Sequence, residues 1–312
     1  MSSTTDATDI ILCAACGKEE DEDNKLKACT ACKMVKYCNR DCQIAHRRQH
    51  KKACKKRAAA VQEEALFEQP PPNEDCPVCF LPLPSFGERT YQSCCGKTLC
   101  NGCIDAVYDR TPINKHPLCP FCRTPTCTSK EEVIERVQKR VGMNDAEAIS
   151  ILASFYADDE RGAARDINRA VELLKQATEL GSIEACGQLG DAYNPHMKRT
   201  IVGVEKDLNA TFHYYEMAAK GGHDIARSNL GILQCNFGNI STGMKHFMIA
   251  AAQGHDSALQ KVKEGYMEGD VTKDDFAKAL HAHKDAQDEV HSEQRTKSKL
   301  SINTRYQSIC ST

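Results

Sequence analysis

The sequence lacks several features that large catalytic or membrane-spanning domains have. It contains no tryptophan, and aromatic residues make up 6% of its 312 residues, which is low for a large mixed α/β core. Its formal net charge is -2. The chain therefore has no overall excess of basic residues, and its charge does not predict binding to a polyanion. No stretch approaches the roughly 18 consecutive apolar residues of a transmembrane helix. The length instead favours two or three small domains.

Targeting segments and common catalytic motifs are also missing. Residues 1–9 have neither a basic segment nor an apolar core, so we expect no signal peptide. There is no glycine-rich phosphate loop, no nucleophile elbow and no His-Glu-x2-His pattern. The 19 cysteines are mostly arranged as Cys-x2-Cys pairs, which are typical of metal sites in reducing compartments rather than of secreted disulfide frameworks. We therefore expect a cytoplasmic or nuclear protein.

Fifteen cysteines and one histidine form two runs of eight zinc-ligand positions before residue 125. A structural zinc ion binds four Cys or His side chains, so each run predicts two ions and the chain four. The first run comprises Cys13, Cys16, Cys29, Cys32, Cys38, Cys42, His50 and Cys54. The second run comprises Cys76, Cys79, Cys94, Cys95, Cys100, Cys103, Cys119 and Cys122.

Composition and motif positions divide the chain into consecutive segments. We predict two small zinc-stabilised, cross-braced α+β fingers followed by an all-α solenoid of helix-turn-helix repeats. Between the fingers, three consecutive prolines, Pro70–Pro72, end a stretch of residues that favour a helix. The predicted segments are a disordered N-terminus (1–10), the first finger (11–56), a linker (57–73), the second finger (74–125), a connecting helix (126–144), the repeats (145–290) and a polar tail (291–312).

The first run resembles the MYND finger in its ligand spacing and in the sequence around Tyr37-Cys38, Cys42-Gln43 and His50-x3-Cys54. The resemblance implies cross-bracing, in which alternate ligand pairs share an ion, and a module that grips short proline-containing peptides. Arg47 stands at the position of the family's tryptophan, which removes an apolar wall from the peptide groove. The implied ligand sets are Cys13, Cys16, Cys38 and Cys42 for one zinc, and Cys29, Cys32, His50 and Cys54 for the other.

Two other features of this helix-forming region have alternative interpretations. His46 lies one turn before His50 and is either a competing ligand or an exposed helix residue. The basic residues between 47 and 57 indicate either a solvated helix face or contact with nucleic acid or a nuclear-import partner. No interleaved aromatic residues support base stacking, so nucleic acid is the weaker interpretation.

The second run resembles a RING finger that has only cysteine ligands. Lys97 stands where the family has a histidine, and a protonated lysine offers no lone pair to zinc. Cys94, adjacent to Cys95, can supply the missing ligand, while His116 and Cys127 remain alternatives. The implied ligand sets are Cys76, Cys79, Cys100 and Cys103 for one zinc, and Cys94, Cys95, Cys119 and Cys122 for the other.

RING fingers commonly recruit a ubiquitin-conjugating enzyme and hold its ubiquitin in a reactive pose, which is a proximity effect rather than nucleophilic catalysis. The resemblance assigns conjugating-enzyme contacts to Val78, Pro120 and Arg123. It predicts a ubiquitin ligase whose helical repeats recruit an unknown substrate protein. The alternative is a non-enzymatic zinc-finger scaffold that mediates protein-protein interactions.

Residues after 145 form an internal repeat. Four segments begin at Ala148, Ala185, Ala226 and Ala258, and a large apolar residue follows each start by four positions. Gly-x3-Ala precedes three of the starts, which predicts a left-handed glycine at a helix C-terminus, as at Gly181. The pattern resembles the Sel-one-like repeat, a relative of the tetratricopeptide repeat, and implies a concave protein-binding face. Polar candidates for partner contact are Gln188, Asp191, Asn229 and Gln234.

Overall fold

The computed structural model describes residues 11–22, 25–112, 115–158, 165–197 and 203–299. The predicted disordered N-terminus, 1–10, lies outside the described residues. The chain divides into two compact units, Met1–Glu68 and Gln69–Thr312. None of the described helices has both the length and the apolar character that a membrane span requires.

The first unit contains the first finger and one long helix. Strands β1 (Lys27–Ala28) and β2 (Lys36–Tyr37) form an antiparallel hairpin, and helix α1 (Arg40–Leu66) follows. The side chain of Asn39 begins α1 by accepting a hydrogen bond from the Cys42 amide, 2.9 Å. Part of the predicted linker, residues 57–66, continues this helix. The few buried apolar side chains of the finger lie among its cysteines, as expected for a domain too small for an ordinary core.

The second unit begins with the second finger. Strands β3 (Arg89–Gln92) and β4 (Lys97–Cys100) pair antiparallel, and helix α2 (Asn101–Arg110) follows directly. The hairpin turn between the strands contains Cys94 and Cys95. Leu83 and Leu99 are the buried aliphatic side chains of the finger core, and the rest of that core is cysteine.

After the second finger, the described part of the second unit is mostly helical, as predicted. Each repeat start lies within the first turn of a helix, and the alanines at the four starts are 0–1% exposed. A polar side chain caps each of these helices: Asp145, Ser182, His223 and His255 accept from the four alanine amides. The helices are α3 (Lys130–Val141), α4 (Ala146–Ala157), α5 (Ile167–Glu179), α6 (Ile183–Tyr193), α7 (Leu208–Lys220), α8 (Asp224–Asn236), α9 (Ile240–Ala252), α10 (Asp256–Glu268) and α11 (Lys273–Glu289).

Glycine permits the turns and the close helix contacts of the repeats. Gly181, Gly222 and Gly254 have φ between +88° and +95°, so the predicted left-handed turn at Gly181 is confirmed. At Gly190 a Cβ atom would lie 2.3 Å from the ring of Tyr215. The small residue therefore allows α6 to pack directly against an aromatic ring of α7.

The second finger packs against the helices of its own unit. Tyr91 Oη donates to Asp145 Oδ2 at 2.6 Å, and Ser85 Oγ donates to Asp224 Oδ2 at 2.5 Å. Residues 293–299 are helical, and within them Arg295 and Ser298 are buried against the finger. The predicted polar tail thus begins with a packed segment, whose contacts the polar composition of the tail did not indicate.

Candidate metal centres

The sixteen predicted ligands converge in four groups, and the ligand atoms of each group lie within 4.8 Å of one another. Each group combines the first and third, or the second and fourth, ligand pairs of its finger. This is the cross-braced pairing implied by the two resemblances. The groups are Cys13/Cys16/Cys38/Cys42, Cys29/Cys32/His50/Cys54, Cys76/Cys79/Cys100/Cys103 and Cys94/Cys95/Cys119/Cys122.

The distances within the groups fit tetrahedral zinc. Four thiolates at about 2.3 Å from one ion lie about 3.8 Å apart. Sulfur-to-sulfur distances range from 3.4 Å for Cys38–Cys42 to 4.0 Å for Cys76–Cys103. All cysteines of the described residues are free thiols, so these distances do not arise from disulfides. Three groups offer four thiolates and one offers three thiolates with an imidazole, which are donor sets of structural zinc sites, and the protein therefore has about four such sites.

A common backbone turn builds four of the ligand pairs. The amide of the residue after the second cysteine donates to the carbonyl of the first: Phe80 N donates to Cys76 O at 2.8 Å, and Arg123 N donates to Cys119 O at 2.9 Å. In each turn the residue after the second cysteine has positive φ. Those residues are Gly17, Lys33, Phe80 and Arg123, with φ between 54° and 71°.

The two such turns of the first finger favour the thiolate form that zinc requires. The backbone amide of Cys16 lowers the pKa of the Cys13 thiol to about 6. The amide of Cys32 likewise lowers the pKa of Cys29 to about 6. Amides aimed at sulfur stabilise negative charge, so these turns prepare their cysteines for metal binding.

In the first finger, one helix supplies three of the eight ligands. Cys42, His50 and Cys54 lie along α1, and His50 Nε2 is 3.2 Å from Cys32 Sγ. His46 does not join a ligand group. Its Nδ1 lies 3.1 Å from the hydroxyl of Tyr37, and its ring stacks on His50. His46 therefore packs beside the ligand histidine and is not one of the grouped ligands.

In the second finger, the neighbouring cysteines both face one group. Cys122 Sγ is 3.4 Å from Cys94 Sγ, and Cys95 Sγ is 4.0 Å from Cys119 Sγ. Lys97 is exposed on β4. Neither His116 nor Cys127 belongs to a ligand group among the described residues. The geometry thus favours Cys94 as the eighth ligand over both alternatives.

The predicted contact residues differ in exposure. Val78 is half-buried and packs against the cysteine core of the second finger. Pro120 is half-buried and Arg123 is exposed.

The polar candidates for partner contact in the repeats already have hydrogen-bond partners within the chain. Asp191 accepts from the Tyr215 hydroxyl, and Asn229 donates to Asp191 at 3.3 Å. Gln188 donates a hydrogen bond to Glu184, and Gln234 accepts one from Asn239.

Two arginines near the second finger were not identified from the sequence. Arg140, on α3, donates to the Cys94 carbonyl at 3.4 Å. Arg295 donates to Cys79 Sγ at 3.2 Å. Arginine is common on helical surfaces and has no ligand-like spacing, so no local pattern distinguishes these two.

Solved structures of two repeat proteins are similar to about half of this chain. A Sel1 repeat protein from Oxalobacter formigenes is 22% identical, with a TM-score of 0.43, over 52% of this chain and 66% of that protein. The protein c5321 of uropathogenic Escherichia coli, described as a protective antigen with an SLR fold, is 18% identical, with a TM-score of 0.40, over 56% and 40% of the two chains. This chain therefore spans less than two thirds of either protein. No curated protein matches it.

Two family patterns match parts of the chain. The MYND finger matches residues 13–54, and the Sel1 repeat matches residues 146–182 and 183–223. Neither match includes the second finger. Residues 13–54 therefore form a MYND finger, and residues 146–223 contain two Sel1 repeats.

Proposed function

We propose that this chain is a zinc-dependent protein-interaction adaptor whose second finger promotes ubiquitin transfer while the repeats recruit the substrate. The observation that carries the ligase part is the alternate pairing of the second finger's eight cysteines into two groups. That pairing supports a RING-type fold with Cys94 replacing the usual histidine. Such a finger contributes docking and orientation, so it needs no nucleophile of its own.

The surface of the second finger is compatible with a docked enzyme. Arg123 is exposed directly after the last cysteine, where the resemblance assigns a contact with ubiquitin. Phe80 and Phe121 are 77% and 44% exposed. Exposed aromatic side chains beside the metal groups favour a protein-binding surface over a purely structural finger.

The test is an autoubiquitination assay of the full chain with a panel of conjugating enzymes. Val78→Ala is expected to weaken docking, and Arg123→Ala to slow transfer while docking persists. Lys97→Ala, at an exposed position of the same finger, is the matched control and should transfer ubiquitin normally. Because Val78 also packs against the core, zinc content is measured for every variant.

The adaptor part stands without ubiquitin transfer. Sel1 repeats generally mediate protein-protein interactions, and the MYND finger adds a second interaction module. A wild-type protein that is inactive with every enzyme, yet retains its zinc, would show that the second finger is a scaffold. We expect this adaptor in the cytosol or nucleus because its thiol-rich sites require a reducing compartment.

A groove in the second unit is the recruitment surface that we propose. It has a volume of about 740 Å³ and lies between the finger and the first two repeat units. Tyr91 and Phe155 give it apolar walls, and Gln188 and Glu184 supply polar groups. Gln188→Arg should abolish partner capture by the full chain, whereas Gln260→Arg, on the exposed face of α10, should not. Unchanged capture by Gln188→Arg would place recruitment elsewhere.

A further inference from the structure

Arg295 is a buried cation that has no carboxylate partner among the described residues. Its side chain belongs to the helical segment 293–299, and the residue is 5% exposed. Among the described residues, no carboxylate lies within ion-pair distance of its guanidinium. A buried charge is costly unless an opposite charge or several hydrogen bonds compensate it. The compensation must therefore come from the groups that surround Arg295.

Those groups belong mostly to the ligand turn of the second finger. Arg295 Nη1 donates to the Pro82 carbonyl at 2.8 Å and to the Val290 carbonyl at 3.0 Å. Nη2 donates to Cys79 Sγ at 3.2 Å and to the Leu81 carbonyl at 3.3 Å. One side chain thus spans the turn that carries Cys79, which lies 216 residues earlier in the sequence.

The missing negative charge is supplied by the metal group itself. Four thiolates around a divalent ion carry a formal net charge of about -2, which a buried arginine can partly neutralise. Hydrogen bonds from outside the ligand set orient the ligands and tune their affinity for metal. The hydrogen bonds to three carbonyls compensate Arg295 in part, and an anionic Cys76/Cys79/Cys100/Cys103 group, as it is when zinc is bound, supplies the opposite charge that these neutral groups lack.

Other residues of segment 293–299 also pack against the second finger. A Cβ atom on Gly102 would lie 2.8 Å from the backbone of Arg295, so the segment rests directly on the first turn of α2. Ser298 Oγ donates to Asp105 Oδ2 at 2.5 Å, and Lys299 Nζ lies 2.9 Å from Glu88 Oε1. The segment thus contacts the ligand turn, α2 and the turn before β3.

We propose that Arg295 is a positioning residue of the Cys76/Cys79/Cys100/Cys103 metal site, and that segment 293–299 is a structural part of the second finger. The segment follows the last repeat helix, so metal binding at this site joins the end of the solenoid to the finger. Loss of the metal removes the charge that holds Arg295 and loosens that junction.

The test measures zinc release from the full chain into excess chelator. Arg295→Ala should accelerate release of one zinc ion about 10-fold or more, the range typical of lost outer-shell contacts. Release of the other three ions should keep its wild-type rate. Arg295→Lys keeps the positive charge but loses the forked guanidinium whose two Nη groups span the turn. It should therefore accelerate zinc release less than Arg295→Ala does. Lys297→Ala, on the exposed side of the same segment, should release zinc like the wild type.

Cysteine alkylation identifies the affected site. With limiting alkylating reagent and peptide mass spectrometry, Cys76, Cys79, Cys100 and Cys103 should be modified first in Arg295→Ala. Cys94 and Cys95 should stay protected, because Arg140 contacts their group instead. If Arg295→Ala does not yield folded protein, Arg295→Lys provides the comparison. Wild-type release and alkylation in Arg295→Lys and Arg295→Ala, or equal acceleration of all four ions, would overturn the proposal.

Discussion

The ring of Phe86 lies parallel to the imidazole of His223, with 3.9 Å between the ring centroids and 4° between their planes. The guanidinium of Arg89 covers the other face of Phe86 at 3.4 Å from its centroid. Phe86 belongs to the second finger, whereas His223 caps helix α8 of the third repeat unit. Together with the Tyr91–Asp145 and Ser85–Asp224 hydrogen bonds, this stack holds the second finger against the repeats within the second unit.

Removing this stack should destabilise the whole second unit. Phe86→Ala is expected to lower its free energy of unfolding by about 1–2 kcal/mol, because the ring loses both its stacking partner and its cation. Phe80→Ala is the matched control, since Phe80 is 77% exposed in the same finger. Chemical denaturation followed by far-ultraviolet circular dichroism reports the repeats directly. Equal stability of the two variants would argue against an energetic link between finger and repeats.

The zinc content of the purified chain should be four ions, one for each ligand group. Cys94→Ser and Cys95→Ser should each retain about three, because their shared site then keeps only three thiolates. Lys97→Ala and Cys127→Ser should retain four. Elemental analysis normalised to protein concentration gives the answer. Four ions in Cys94→Ser would exclude Cys94 as a ligand and return His116 to consideration.

Close helix packing predicts a severe effect of a single methyl group. Gly190→Ala should destabilise the second unit by about 1–3 kcal/mol, because its Cβ would lie 2.3 Å from the ring of Tyr215. Gly142→Ala is the control, since its Cβ would meet only ordinary contacts of 3.5 Å or more. Thermal unfolding of both variants makes the comparison. Similar unfolding temperatures would mean that Tyr215 moves at little cost.

Acidification should weaken the repeats through one histidine. Burial, with the nearby charges of Arg227 and Lys245, lowers the pKa of His246 to about 3. Its pKa in the unfolded chain is about 6.5, so the unfolded state binds more protons between these values and stability falls as the pH decreases. From pH 7.5 to 5.5 the loss is about 1.4 kcal/mol.

The measurement is denaturant unfolding at pH 7.5, 6.5 and 5.5. His246→Gln should lose less stability across this range than the wild type, whatever its stability at pH 7.5. His281→Gln, at an exposed position of α11, should follow the wild type. Zinc loss affects all three proteins alike, so the difference between them isolates His246. Parallel pH profiles for His246→Gln and the wild type would refute the assignment.

Several features could be predicted because they depend on short-range chemistry. The Cys-x2-Cys spacing limits each ligand pair to one kind of turn, and zinc accepts few other side chains. The alanines at 148, 185, 226 and 258 predicted helices because small residues recur where two helices meet. Both predictions could be made because these residue types, in these patterns, have few structural roles. All sixteen ligands converge as the sequence indicated.

The sequence by itself therefore determined the two runs of zinc ligands, the helical repeats and the glycine turns. Only the tertiary structure decided that Phe86 stacks on His223, that Ser85 binds Asp224 and that Arg295 reaches Cys79. These partners are separated by more than a hundred residues and are of types found on any protein surface. Their pairing depends on how the finger packs against the helices, and a packing arrangement of that kind leaves no periodic or spacing pattern in the chain.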